Sequence, residues 1–476
     1  MPSAVIIAAT PEEPQKQSTF TPEAATLEYA REQDRNDKLA YLRDQFNIPT
    51  RGSLRKKALD GTIPASNPED DSEDNKPSVY LVGNSLGAQP RSISRNIPAQ
   101  LETWASFGVN GHFSSLENSP LEAWQDLAES CAKKSVELVG ATSHEEIIYM
   151  NTLTVNLHLM MATFYKPTTE RHKVIVEWKP FPSDWYAIQS QISHHGFDPS
   201  TSLIEIQPDS PSLYLSTETI LSVIDQHASS TALLLLPGIQ YYTGQSLNIP
   251  LITSYAQSRG IVVGWDLAHA AGNIPLSLHD WNVDFAVWCT YKYLNSGPGA
   301  TSGCFVHSKH HGQKLPRLAG WYGSDKSVRF KMEKEFIPAR GAAGWQLSNP
   351  SAIDLACVSA SLDMFQNVGM RELRQKAVKL TGYLEWLLVG LLSDQQEEKK
   401  FKILTPQNPE ERGSQLSLLL TDEDILEKVF KKLQEGGIIC DARKPGVIRV
   451  APVPMYCTFE DVWRFVEIFG RALEEV

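Results

Sequence analysis

The sequence predicts an α/β protein: a large domain built on a mostly parallel, mainly seven-stranded sheet covered by helices, plus a smaller α+β domain at the C-terminal end. Three observations carry that expectation. Between residue 144 and about residue 310, short apolar runs alternate with helical segments. Most runs are continuously apolar, as in Ala232–Leu236, which marks strands covered on both faces. After residue 350 the pattern changes to a long helical stretch, 350–393, followed by short strands and helices.

Taken in order, residues 1–20 are rich in Pro, Glu, Gln, Ser and Thr and predict a flexible tail. Residues 21–48 read as helical, with Leu27, Ala30, Leu39, Leu42 and Phe46 as the apolar positions. A polar stretch at 60–77 predicts a mobile insertion. A helix through Trp104 follows, then one from about Leu121 to Val139 that stops at Gly140. The strand candidates are Glu146–Asn151, Lys173–Glu177, Ser202–Ile206, Ala232–Leu236, Ile261–Asp266, Phe285–Thr290 and Gly303–His307. Helix 153–165 places Leu153, Leu157, Met160, Met161 and Phe164 on one stripe. Further strands are expected near 401–405, 414–420, 437–440 and 447–450, with helices near 421–435 and 458–474. The expected division is a tail (1–20), an N-terminal helical arm and small-domain segment (21–110), a large domain (111–350) and a small domain (351–476).

The bulk numbers exclude some classes. A net charge of −12 argues against a nucleic-acid or anionic-membrane surface. No apolar stretch approaches the roughly 20 residues of a membrane span. Six cysteines without a C-x-x-C pair, and no N-x-S/T sequon, predict free thiols in the cytoplasm. The N-terminal residues lack the basic segment of a signal peptide.

The chemistry centres on Lys292. It follows the apolar run Asp284–Tyr291 and precedes a glycine-rich loop, Asn295-Ser296-Gly297-Pro298-Gly299. An ammonium at the end of a buried strand is costly unless something pairs or uses it. One use is an imine to an aldehyde cofactor. Asp266 ends another strand, 26 positions earlier. A lysine and a carboxylate so placed suit pyridoxal phosphate: the acid keeps the pyridine nitrogen protonated, and the ring accepts electrons.

Other polar residues follow the strand ends, where ligands collect in open α/β sheets. Thr152, Leu153 and Thr154 open a helix, which suits a phosphate; simple N-capping by Thr152 is the alternative. Phe181, Ser183 and Asp184 offer a ring and hydrogen bonds, or merely a turn. Tyr242 is placed to reach a phosphate or act as an acid, or to sit in the core. Asp266 and His269 have no completing ligands nearby, so no metal is expected.

Taken together, the segments Gly83-Asn84-Ser85-Leu86-Gly87, Leu153-Thr154-Val155-Asn156, Phe181-Pro182-Ser183-Asp184, Tyr242-Thr243-Gly244-Gln245, Asp266-Leu267-Ala268-His269-Ala270, Tyr291-Lys292-Tyr293-Leu294-Asn295, Gly320-Trp321-Tyr322-Gly323, Ser348-Asn349-Pro350 and Ile448-Arg449-Val450-Ala451-Pro452 resemble the motifs of kynureninases, with a fungal flavour. The resemblance covers roughly residues 79–475. It implies a homodimeric fold-type-I pyridoxal-phosphate enzyme of the aminotransferase superfamily, with active sites shared between subunits and the cofactor bound in the 111–350 domain. The implied reaction is hydrolysis of L-kynurenine to anthranilate and L-alanine. The 3-hydroxy analogue would give 3-hydroxyanthranilate, on the route from tryptophan to NAD.

By the same resemblance, Lys292 would carry the cofactor and Asp266 would hold its ring nitrogen. Leu153, Thr154, Phe181, Ser183, Asp184, Tyr242, His269 and Tyr291 would surround it, with Phe181 stacking on the ring. Trp321 and Asn349 would come from the neighbouring subunit. His112 and Asn349 would face the aromatic end of the substrate, and Arg449 would hold its α-carboxylate. Tyr291 and Tyr242 both stand as proton donors. Pro237 occupies a position where some members carry a serine, so that hydroxyl is lost. Rivals are a class V aminotransferase, a cysteine desulfurase, a scaffold that has lost catalysis, and a nucleotide-binding oxidoreductase. Cys304 in a strand and Cys357 in a helix suit a desulfurase poorly, and no G-x-G-x-x-G follows a strand.

Overall fold

The seven apolar runs form one sheet. In the computed structural model, which describes residues 20–63, 75–208, 213–394 and 399–476, the strands are β1 (Ile147–Tyr149), β2 (Lys173–Glu177), β3 (Leu203–Ile206), β4 (Thr231–Pro237), β5 (Val262–Asp266), β6 (Phe285–Trp288) and β7 (Gly303–Val306). The expected tail and most of the expected insertion lie outside the described residues. The sheet order is β1-β7-β6-β5-β4-β2-β3. Only β7 runs against its neighbours. Every residue of β4 except Pro237 is buried, as expected for a strand covered on both faces. Pro237 lies opposite Asp266, and Asp266 opposite Val287. The carboxyl ends of β4, β5 and β6 therefore share one edge.

Helix α1 (Leu127–Lys134) precedes β1, and helices α2 (Leu153–Phe164) and α3 (Pro182–His194) are connections between parallel strands of the sheet. The other helices used below, α4 (Ala352–Val368), α5 (Met370–Asp394) and α6 (Phe459–Glu474), follow β7. A second, antiparallel sheet has β8 (Phe401–Ile403), β9 (Leu416–Leu420), β10 (Asp441–Arg443) and β11 (Val447–Val450) in the order β8-β9-β11-β10. Helix α6 opens with a capping box, Thr458 with Asp461, and buries Phe459, Val462, Phe465, Val466 and Phe469 on one stripe.

Four readings change. The 350–393 stretch is two helices, α4 and α5, broken at Gly369, whose φ of +85° favours glycine. The 121–139 helix begins only at Leu127, because the Trp124 N–H turns back to the Gly111 carbonyl, and it is interrupted at Ser135. Within 21–48, the α-helix spans only Leu27–Arg35; Phe46–Asn47 is extended and pairs with Gln89–Pro90. Ile438–Ile439 leaves the small sheet and pairs in parallel with Val79–Tyr80, tying the N-terminal segment to the C-terminal part.

The opposite edge of the main sheet is closed by a buried carboxylate. Glu146 accepts hydrogen bonds from Thr142 N–H (3.0 Å), Ser308 N–H (2.8 Å) and His279 Nδ1 (2.8 Å). The His307 ring stacks on His279 at 4.5 Å. Glu146, His279 and His307 have the spacing of metal ligands. The His307 ring is already engaged, however: Nδ1 accepts from Lys309 N–H (3.0 Å) and Nε2 donates to the His279 carbonyl (3.2 Å). The cluster is a hydrogen-bonded clasp.

Burial raises the Glu146 carboxyl, but the hydrogen bonds from His279, Ser308 and Thr142 outweigh it and lower its pKa from 4.5 to about 2. A depressed folded-state pKa stabilises the protein above the unfolded value. That contribution is lost as pH falls from 4.5 towards 2. Glu146→Gln should cost about 2 kcal/mol at pH 7 by urea denaturation, and the gap to the wild type should narrow below pH 4.5. A gap independent of pH would contradict the assignment.

Candidate active site

Two strand ends bring the central pair together. Asp266 is the last residue of β5, and its Oδ1 accepts the Ala268 N–H at 2.7 Å. Lys292 follows β6, is buried, and holds its Nζ 5.5 Å from the centre of the Phe181 ring. Among the described residues, Nζ has no ion pair and no hydrogen bond. Both residues line one cleft.

The lysine loop is held by its backbone. Asn295 N–H reaches the Lys292 carbonyl (2.9 Å), and Ser296 N–H the Thr290 carbonyl (3.0 Å). Gly87 N–H reaches the Tyr291 carbonyl (2.8 Å). A Cβ on Gly87 would stand 2.3 Å from the Lys292 carbonyl oxygen, so this close approach requires glycine.

The cleft holds two further carboxyls. Asp184, in the first turn of α3, and Glu177, at the end of β2, are both buried. Burial pushes each well above its ordinary value, and the charge of Asp266 adds to the effect. His269 is driven well below its ordinary value by burial, then by Lys292, Arg449 and Arg443, so its ring is neutral. Asp184 Oδ1, Glu177 Oε2 and His269 Nδ1 have no hydrogen-bond partner. Three orphaned polar atoms in one cleft call for a polar ligand.

At the other end, Leu153 and Thr154 open α2. Thr152 makes no capping bond, so the first-turn N–H groups are left for another acceptor. Thr154 Oγ1 and Ser183 Oγ lie 2.6 Å apart beside them. Tyr291 lines the cleft, and burial first, then Cys289, raises its phenol, so it stays protonated. Pro237 lines the cleft without a hydroxyl.

The structure thus brings together Leu153, Thr154, Phe181, Ser183, Asp184, Asp266, His269, Tyr291 and Lys292. Tyr242 is not with them. It packs against Leu404 and Val447, with Lys179 Nζ 4.2 Å over its ring. Tyr241 faces the cleft instead, edge-on to Phe181 at 5.3 Å. The Gln240 side chain sets this turn by accepting the N–H groups of Tyr242 (2.6 Å) and Thr243 (2.9 Å). Glu177 also escaped the sequence reading. Its only signal was a charge ending an apolar strand, the signal that singled out Asp266.

Four expected residues stand outside the lining. Arg449, in β11, is buried and makes a bidentate pair with Asp441, while its Nη1 donates to the Tyr241 carbonyl at 3.0 Å. His112 is half-buried, edge-on to Trp124 at 5.1 Å. Trp321 and Asn349 are exposed.

A sheet with one reversed strand, a buried lysine and aspartate at its carboxyl edge, and a smaller C-terminal α+β unit define the fold of fold-type-I pyridoxal-phosphate enzymes. Solved structures of that fold superimpose on the chain. A cysteine desulfurase from Escherichia coli matches with a TM-score of 0.69 at 17% identity, covering 92% of this chain and 99% of that one. A C-DES variant with glycine linked covalently to its PLP cofactor matches with a TM-score of 0.66 at 18% identity, covering 82% and 96%. At such identities the likeness is one of fold.

Sequence relatives resolve the family. Kynureninase 2 of Chaetomium globosum is 58% identical over 96% of this chain and 96% of its own length. Kynureninase 1 of Neurospora crassa is 60% identical over 95% and 96%. The family model described as the kynureninase C-terminal domain matches residues 373–469. The chain belongs to the kynureninase family. The desulfurase alternative also lacks its nucleophile: no cysteine lines the cleft, and Cys304 and Cys357 are buried. Burial raises both thiols, Cys357 to about 11.

Gly87→Ala should displace the Lys292 backbone and lower activity about tenfold or more, with a stability loss of about 1–3 kcal/mol. Steady-state kinetics and urea denaturation check both; unchanged kinetics would show that this contact does not set the lysine.

Proposed function

We propose that this chain is a pyridoxal-phosphate-dependent kynureninase. It cleaves the Cβ–Cγ bond of L-kynurenine with water, giving anthranilate and L-alanine, and treats 3-hydroxykynurenine likewise, in tryptophan breakdown towards NAD. The observation that carries the reading is Lys292 and Asp266 in one buried cleft beside the Phe181 ring. Six free, buried cysteines suit the cytoplasm, and no helix among the described residues is long and apolar enough to cross a membrane.

The residues present fit the cofactor. When bound, pyridoxal phosphate supplies an aldehyde that joins amines and a ring that takes up electrons from the substrate α-carbon. Asp266 would pair with the ring nitrogen and Phe181 would cover a ring face. Thr154, Ser183 and the first-turn N–H groups of α2 would take the phosphate. The orphaned atoms of Asp184 and His269 would gain partners.

Lys292 does the proton work: as a free amine it accepts the proton from Cα. Water then adds to the γ-carbonyl before the Cβ–Cγ bond breaks. Of the two tyrosines read as donors from sequence, Tyr291 lies in the cleft and is protonated, so we assign it the proton delivered to the substrate. Arg449 holds the α-carboxylate through a bidentate-capable guanidinium. Lys292→Ala should lose the absorption of lysine-bound cofactor and about a thousandfold of turnover. Near-native turnover would reject this reading.

The cleft of one copy is incomplete, because Trp321, Asn349 and His112 stand outside it. Trp321 (49% exposed) packs on Phe330 at 5.3 Å, and Phe330 on Phe113 at 5.2 Å, which leaves an exposed aromatic patch. In our reading a second copy covers this patch, and each copy lends Trp321 and Asn349 to the other's cleft, where Asn349 meets the aromatic end of the substrate beside His112. Mixing inactive Lys292→Ala with inactive Trp321→Ala should restore activity, since one cleft of each hybrid dimer is whole. No recovery, despite subunit exchange shown by native mass spectrometry, would remove the shared site.

A further inference from the structure

Asp441 lies between two arginines. Its Oδ1 accepts from Arg449 Nε at 2.7 Å. Its Oδ2 is shared by Arg449 Nη2 and by Arg443 Nη2, the latter at 3.0 Å. The register of β10 on β11 produces this, for Asp441 stands directly opposite Arg449.

A bidentate arginine–aspartate pair is electrically neutral. Arg449 also gives Nη1 to the Tyr241 carbonyl. A guanidinium assigned to an incoming carboxylate thus has its charge already cancelled and much of its donor capacity engaged. Arg443 changes the balance, because two guanidiniums against one carboxylate leave one net positive charge. Among the described residues Arg443 pairs with no other carboxylate. Its side chain is 34% exposed, against 2% for Arg449, so Arg443 supplies the part of the cluster open to solvent. Both arginines act electrostatically on His269 and Tyr241 in the cleft.

We propose that Arg443 is a positioning residue that acts through Asp441, making the Asp441–Arg449 pair net cationic so that Arg449 can receive the α-carboxylate of an amino-acid substrate. The proposal rests on the reading of Arg449 as the carboxylate holder.

The test uses the holoenzyme with Arg443→Gln and Arg443→Lys. The glutamine variant should raise KM for L-kynurenine about tenfold with kcat within about twofold, and the lysine variant should keep KM within about threefold. Binding of L-alanine, titrated by calorimetry without turnover, should weaken about tenfold in the glutamine variant. The inhibition constant of the amine that lacks the carboxylate, kynuramine, should not change. In the wild type, added salt should weaken alanine binding. An unchanged KM and alanine affinity in Arg443→Gln, an equal loss for kynuramine, or salt-independent alanine binding by the wild type would each overturn the role of Arg443. The kynureninase reading would survive those results; it falls instead if the wild type does not cleave kynurenine.

Discussion

The structure depends on how the cleft at the carboxyl edge of the sheet balances its charges. Lys292 stands there without an ion pair among the described residues, and Asp266, Asp184 and Glu177 bring three carboxyls. Burial and mutual repulsion push Asp184 and Glu177 towards their neutral forms, and push His269 neutral as well. What remains is Lys292 and Asp266 in the same cleft. That balance needs the ends of β4, β5 and β6 in line, which the pairing of Pro237 with Asp266 and of Asp266 with Val287 provides. A one-residue slip in β5 would turn Asp266 to the other face and leave the lysine uncompensated.

Much of this was legible in the sequence, for identifiable reasons. Strands buried on both faces must be apolar throughout, so six of the seven runs announced themselves, the edge strand Leu203–Ile206 being only partly buried, and Asp266 and Lys292 stood out as charges ending such runs. What stayed hidden depended on contacts between distant residues. Whether Tyr241 or Tyr242 faces the cleft is decided by the Gln240 side chain capping its own turn. The departure of Ile438–Ile439 from the small sheet is decided by Val79–Tyr80, far away in the chain. The break at Gly369 was written in the sequence, but a single glycine in a long helical pattern is ambiguous until its φ is known.

The likeness to cysteine desulfurases shows how little of the chemistry the fold determines. The sheet supplies a lysine and an aspartate at an edge, which serves any reaction needing an electron-accepting ring. A desulfurase also needs an accessible thiolate, and here every cysteine is buried. This chain instead lines the same edge with two acids driven towards neutrality and a protonated tyrosine, and an arginine of the small sheet, Arg449, reaches the carbonyl of the lining residue Tyr241. In the proposed reaction those groups would hold protons and the substrate carboxylate in place.

The arginine cluster also answers a difficulty posed by the whole chain. A protein of net charge −12 repels anions at long range, yet the substrate must present a carboxylate. Screening shortens that repulsion to about 8 Å at physiological salt, so the field at the mouth is set by the nearest few groups. Within the cleft, His269 is neutral and two of the three carboxyls are driven towards neutrality. Under the proposed role of Arg443, the local sign would then follow from Arg449 and Arg443 against Asp441. On the role proposed for Arg443, an acidic protein would in this way present a cationic group to the substrate, because the aspartate that orients one arginine is shared with a second.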